Sequence, residues 1–130
     1  MRVEPTLKLS PTRRTQARAV VLAAPVVGDQ LAGALHGLLT HIVSGDTDAT
    51  FRAAADPSRR VVVIVVDADL LGVTTIKDLH TIFPDVRILA LSRDPSVLAR
   101  AVPAGATVAL PTSTPTAQLA TMVSRLASAR

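Results

Sequence analysis

The 130-residue chain contains no cysteine, no tryptophan and no tyrosine, and it has only two phenylalanines. The missing cysteines exclude disulfides, thiolate metal sites and thiol catalysis together. Long apolar runs are missing as well. Hydrophobic residues make up 48% of the chain and the mean hydropathy is +0.40, yet Asp, Arg, Gly and Pro interrupt every stretch short of the ~18 residues of a membrane span. No continuous apolar segment follows Arg2 and Lys8, so no secretory signal is read and a cytoplasmic location is expected.

A one-signed charge on the body is also lacking, although the formal net charge is +4. Residues 1–18 hold five basic groups (Arg2, Lys8, Arg13, Arg14, Arg18) against Glu4, which leaves nine basic and nine acidic groups for the rest. The excess therefore belongs to an N-terminal segment with two prolines and no hydrophobic period, expected to be a disordered basic tail over 1–18. A neutral body over 19–130 with no basic or aromatic cluster does not read as a specific nucleic-acid binder.

What the chain does have is valine, alanine and leucine in alternating short runs and helical patterns, enough for one domain with a real core. "AVVLAA" (19–24) has strand length, and Val27, Leu31, Leu35 and Leu38 then follow at helical spacing. "THIVSG" (40–45) reads as a weak strand, and "DTDATFRAAADPSRR" (46–60) as a helix that opens on acids and stops at Asp56-Pro57. "VVVIVVD" (61–67) is the strongest strand, without alternation before its final Asp67 and so expected to be buried on both faces. Ile76, Leu79 and Phe83 mark a helix closed by Pro84, and "VRILALS" (86–92) is a strand. Asp94-Pro95 starts a helix carrying Val97, Leu98, Ala101 and Val102, which Pro103 and Gly105 end. "TVALP" (107–111) is a fifth strand, and Thr114-Pro115 reads as a second cap-plus-proline start for Leu119, Met122, Val123 and Leu126.

Five strands each followed by a helix make an α/β domain with a parallel five-stranded sheet between two helical layers. Handed crossovers at this length favour a flavodoxin-like (βα)5 arrangement with strand order 2-1-3-4-5. Reactive groups in such sheets lie at the carboxyl ends of the strands. The first strand ends on Ala23-Ala24, the third on Asp67, the fourth on Ser92 and the fifth on Leu110-Pro111. Few other chemistries are signalled. His36, His41 and His80 lack ligand spacing, no Gly-x-Ser-x-Gly elbow or Gly-x-Gly-x-x-Gly occurs, and "GVTTIK" (72–77) is not a phosphate loop.

"VVDADLLG", "PDVRILALS" and "AGATVALP" followed by a capped helix resemble the receiver (CheY-like) domains of bacterial two-component response regulators, over nearly all of 19–128. The resemblance implies a role in signal transduction. It matches Asp67 to the phosphoacceptor and Ser92 to the switch hydroxyl. It also implies an acidic pair after the first strand to help hold Mg²⁺, a lysine ending the fifth strand and a proline four residues after the acceptor. Here Ala23-Ala24, Leu110 and Leu71 stand in those places, with Pro111 keeping the proline that follows the lysine. Asp69, two residues into a loop, is expected to point away from the pocket, and with Leu110 in the lysine's place the site has too few anionic ligands and no cation. Asp67 and Ser92 are thus expected to be vestigial, around a degenerate pocket of Ala23, Ala24, Asp69, Leu110 and Pro111, with no metal and no cofactor.

The resemblance further implies a non-enzymatic pseudo-receiver acting through protein contacts. A homodimer or partner would use the face of the fourth helix, fifth strand and fifth helix, with Val97, Arg100, Ala101 and Arg125 as candidates. Atypical receivers of this kind also precede ParA-like ATPases of pilus assembly and septum placement, so an N-terminal module of a larger protein is a further expectation. The alternatives are a small-molecule sensor using the emptied pocket, or a response regulator still phosphorylated on Asp67.

Overall fold

The computed structural model describes residues 18–44 and 46–128. The expected Gly45 strand end and the tail before Arg18 lie outside them. Five strands, β1 (Arg18–Ala23), β2 (Leu39–Ile42), β3 (Arg60–Asp67), β4 (Arg87–Ser92) and β5 (Val108–Pro111), form one parallel sheet in the order β2-β1-β3-β4-β5. Five helices alternate with them: α1 (Pro25–Ala34), α2 (Thr47–Ala54), α3 (Val73–Ile82), α4 (Pro95–Ala104) and α5 (Thr116–Ser128). A sixth, single helical turn at Ala68–Leu71 follows β3 directly. This is the three-layer arrangement the sequence pattern predicts.

The sheet is buried on both faces because its central strands are apolar at every position between their ends. Successive side chains of a strand point to opposite sides. Val63 and Val65 therefore join Leu22, Leu31, Leu89, Leu91, Leu119 and Val123 beneath α1 and α5. Ile64 and Val66 join Val21, Ile76, Leu79, Ile88 and Ala101 beneath α2, α3 and α4. Each fully buried Leu, Ile or Val side chain contributes about 1.5–3 kcal/mol relative to exposure, so the two clusters hold the strand ends rigidly in register.

Helix ends follow local chemistry, with two departures from expectation. Asp46 caps α2 by accepting from the Asp48 amide at 2.9 Å, and Asp94 caps α4 by accepting from the Ser96 amide at 2.9 Å. Pro103 does not end α4 but sits in its last turn. The stop is Gly105, at φ +130°, where the Gly105 amide donates to the Val102 carbonyl and the Ala106 amide to the Ala101 carbonyl, both at 3.0 Å. A Cβ at this glycine would lie 2.5 Å from the Cβ of His80, so α3 and α4 pack across it. Thr114 does not cap α5 either: its hydroxyl donates to the Pro111 carbonyl at 2.7 Å, and α5 begins at Thr116. At the other edge, Arg18 is already in β1, and its Nη1 donates to the Ala127 carbonyl at 2.9 Å.

Candidate functional site at the carboxyl edge of the sheet

Register places Ala23 beside Val66, Asp67 beside Leu91, and Ser92 beside Pro111, so the expected residues do gather along one edge. Their side chains do different work. Ala23 and Ala24 are 0% and 2% exposed, methyl groups closing the end of β1. Leu110 is half-buried and packs against the α1–α5 cluster, so an apolar side chain lies where the resemblance implies an ammonium group. Leu71 is half-buried against the opposite cluster, and the chain enters α3 through Gly72 at φ +89°.

Asp67 ends β3 and turns its carboxylate forward. Oδ1 accepts from the amides of Asp69 at 3.0 Å and Leu70 at 3.3 Å, capping the helical turn Ala68–Leu71. That turn bends the next acid back across the edge. Contrary to expectation, Asp69 points to the end of β4: its Oδ1 accepts from the Ser92 hydroxyl at 2.5 Å and its Oδ2 from the Arg93 amide at 2.8 Å. The physical reason is helical geometry. Once Asp67 caps a turn, Asp69 lies inside that turn rather than in a free loop.

These bonds hold the Asp69 carboxyl below the ordinary carboxylate value of 3.8. The Ser92 hydroxyl is the largest cause, followed by the Arg93 amide, with desolvation opposing both. The Arg93 guanidinium favours the anion weakly and the Asp94 carboxylate disfavours it. Ser92 itself is fully buried, and besides donating to Asp69 it accepts from the Asp94 amide at 2.9 Å. Asp94 in turn accepts from the Ser96 amide and hydroxyl, which lowers its carboxyl as well.

A cation is present after all. Arg93, the residue after the strand-four serine, is exposed and lines an open cavity of about 430 Å³ with Pro111, Thr112 and Ser113. Thr112 Oγ1 is buried there without a hydrogen-bond partner among the described residues. The sequence signal for Arg93 was its place directly beyond a strand end, where a loop residue turns over the edge.

The Mg²⁺ that the resemblance implies does not fit these residues. The end of β1 offers methyl groups, and both oxygens of Asp69 and one of Asp67 already accept from the chain's own donors. No group of three or more His, Cys, Asp or Glu side chains converges among the described residues. The histidines are scattered. His41 contacts Arg59 through Nδ1, His80 packs on Gly105, and His36 lines a groove between α1 and α5.

The expected interface is only partly assembled. Arg100 is exposed on α4, but Ala101 is fully buried in the α2–α4 cluster and Val97 is half-buried against it, because residues four apart share one helix face. Arg125 is exposed but lines the groove between α1 and α5, with Ala34 and His36, rather than the β5 edge. No helix among the described residues is long and apolar enough to cross a membrane.

No protein-family model matches the sequence, and no curated protein matches it. Solved structures do match in fold. The signal receiver domain of an HD domain-containing protein from Pseudomonas fluorescens Pf-5 superposes with a TM-score of 0.73 at 20% identity, covering 87% of this chain and 88% of that one. A response regulator from Thermotoga maritima gives 0.71 at 17% identity, covering 88% and 99%. NtrX from Brucella abortus, solved with ADP, gives 0.72 at 19% identity; the match covers 87% of this chain but only 26% of NtrX. Sheet order, strand register and these superpositions agree: the chain has the response-regulator receiver fold, CheY-like and flavodoxin-like in architecture.

Proposed function

We propose that this is a non-enzymatic, cytoplasmic receiver-like regulatory domain that works without phosphorylation, through contact with another protein or a second copy of itself. One observation carries the reading. The acids at the carboxyl edge accept from donors of their own chain, Asp67 through Oδ1 from two amides and Asp69 through both oxygens from Ser92 and Arg93, instead of converging on a shared cation. Phosphoryl transfer to a carboxylate adds negative charge to an anion, and catalysis needs positive charge aimed at the transferring group. At this edge the end of β1 offers alanine methyls, Leu110 is apolar, and Arg93 gives its amide to Asp69 and not to Asp67.

The test is incubation with acetyl phosphate and Mg²⁺, followed by intact mass. No adduct is expected on the wild-type chain; stoichiometric labelling of Asp67 overturns the reading. The small-molecule alternative would place its ligand among Ala24, Asp67 and Ser92. There Ala24 is closed off and the Ser92 hydroxyl is already bonded on both sides, which favours protein contact over it.

The surface that supports protein contact is the α4–β5 side. Among the described residues β5 pairs only with β4, its Val108, Ala109 and Leu110 are half-buried, and Arg100 is exposed on α4. Unpaired strand edges with apolar side chains are ready partners for another chain. On this reading Arg100, and not Ala101, contributes to the contact, and the same module could serve at the head of a ParA-like ATPase.

A further inference from the structure

The end of β4 presents two donors in one direction, the Ser92 hydroxyl and the Arg93 amide, and a single carboxylate receives both. Two donors converging on two oxygens of one group are what an oxyanion niche requires, and charge-assisted bonds of this kind are the strong ones. The Ser92 hydroxyl is fixed from behind as well: its oxygen accepts from the Asp94 amide, and its one proton goes to Asp69 at 2.5 Å in preference to the Asp94 carbonyl at 3.4 Å. The occupant is equally fixed. Asp69 stands in the helical turn capped by Asp67, at the end of a buried strand, so its carboxylate is delivered to the niche without a flexible tether.

We propose that Ser92 and Arg93 form an oxyanion-binding niche which Asp69 fills in cis, latching the loop after β3 to the end of β4 and closing the niche to external carboxylate or phosphate. The latch deepens the phosphorylation-independent reading and rests on it for its place in signalling, though its geometry stands apart from Asp67. A tethered group reaches effective concentrations of mM or more even on a flexible linker, and this one is held rigidly. External anions therefore compete only when Asp69 is removed. The charged groups that face the niche are Arg93, which favours an anion, Asp94, which disfavours it, and Asp67 on the same loop as Asp69.

The experiment is amide NMR on the ¹⁵N-labelled chain, as wild type, D69N and D69A, with S92A added to each. In the wild type the Arg93 amide follows the acid titration of a carboxyl and ignores sodium formate or inorganic phosphate at ~10 mM, because a rigidly held group exceeds the mM effective concentration of a flexible tether, against sodium chloride at matched ionic strength. In D69N, which keeps the shape of the side chain, that titration disappears. In D69A the Arg93 amide shifts on adding anion, and S92A abolishes the shift. Formate acting alone identifies a carboxylate niche, and phosphate acting as well identifies a general oxyanion niche; both support the proposal. An Arg93 amide that keeps its titration in D69N overturns it. So does a D69A response to anions that is absent or no larger than the wild-type response. If D69A does not fold, D69N and D69N/S92A decide through the titration. Labelling of Asp67 by acetyl phosphate in the wild type would sink the phosphorylation-independent reading while leaving the Arg93 titration intact, so the two failures are distinguishable.

Discussion

Replacing Ser92 and Asp69 by alanine, singly and together, measures how much the contact at the carboxyl edge holds the fold. The Ser92→Ala change removes the hydroxyl that donates to Asp69 and accepts from the Asp94 amide. The loss at Asp94 occurs in S92A and in the double variant alike, so it cancels in the cycle and leaves the Ser92–Asp69 coupling. A hydrogen bond to a charged group contributes ~1.5–3 kcal/mol when shielded. Asp69 is exposed while Ser92 is fully buried, so solvent screening reduces the coupling to about 1 kcal/mol. Urea unfolding at neutral pH should therefore show the double variant about 1 kcal/mol more stable than the sum of the single losses implies. The pH dependence has a definite sign. Asp69 has its folded-state carboxyl depressed below 3.8, so the stabilisation is present above that value and is lost as pH falls through the depressed one. Repeating the cycle at progressively lower pH, starting from 3.8, should shrink the coupling. Single losses that simply add at neutral pH, within the ~0.3 kcal/mol scatter of such cycles, refute the contact.

Three further outcomes follow from the packing. Gly105→Ala forces a side chain into φ +130° and against the Cβ of His80, combining a backbone penalty of ~1–2 kcal/mol with overpacking of ~1–3 kcal/mol; thermal unfolding should drop by on the order of 10 °C. Ala101→Leu should destabilise the monomer by ~1–3 kcal/mol, read by urea, because Ala101 is wholly buried. Arg100→Glu, on an exposed position of α4, should leave stability within ~0.5 kcal/mol and lower the mass seen by light scattering if the chain self-associates through the β5 side; an unchanged dimer rules that side out.

The sheet was legible because its strands carry an unambiguous signal. "VVVIVVD" is apolar at six consecutive positions, all β-branched and too few for a helix, which suits a strand covered on both faces, and the structure buries Val63 through Val66 completely. Asp46 and Asp94 were legible as caps because each stands one residue before its helix with a free side chain to turn inward. Thr114 has the same look, but its hydroxyl finds the Pro111 carbonyl first, and such local competition is invisible in a pattern. Ala101 is legible too, since the apolar stripe it shares with Val97 on α4 belongs to the core and not to a surface.

Asp69 departs from its expected direction for a different physical reason. From sequence, the residue two beyond a strand end lies in a loop of unknown direction, and the direction is settled only by what the strand-ending acid does. Asp67 uses its carboxylate to cap, the cap starts a helical turn, and the turn carries Asp69 over the neighbouring strand. The two acids thus exchange the parts a linear reading assigns them. Asp67 shapes backbone, while Asp69 meets the hydroxyl and amide at the end of β4. A variant that breaks the cap should therefore disturb Ser92 without touching it. Asp67→Ala leaves the amides of Asp69 and Leu70 without their acceptor, which loosens the turn and costs ~0.5–2 kcal/mol as lost N-caps do. It should also speed amide exchange at Arg93, the far end of the latch. Unchanged exchange at Arg93 alongside lost stability would separate the two acids and show that Asp69 finds β4 without help from Asp67.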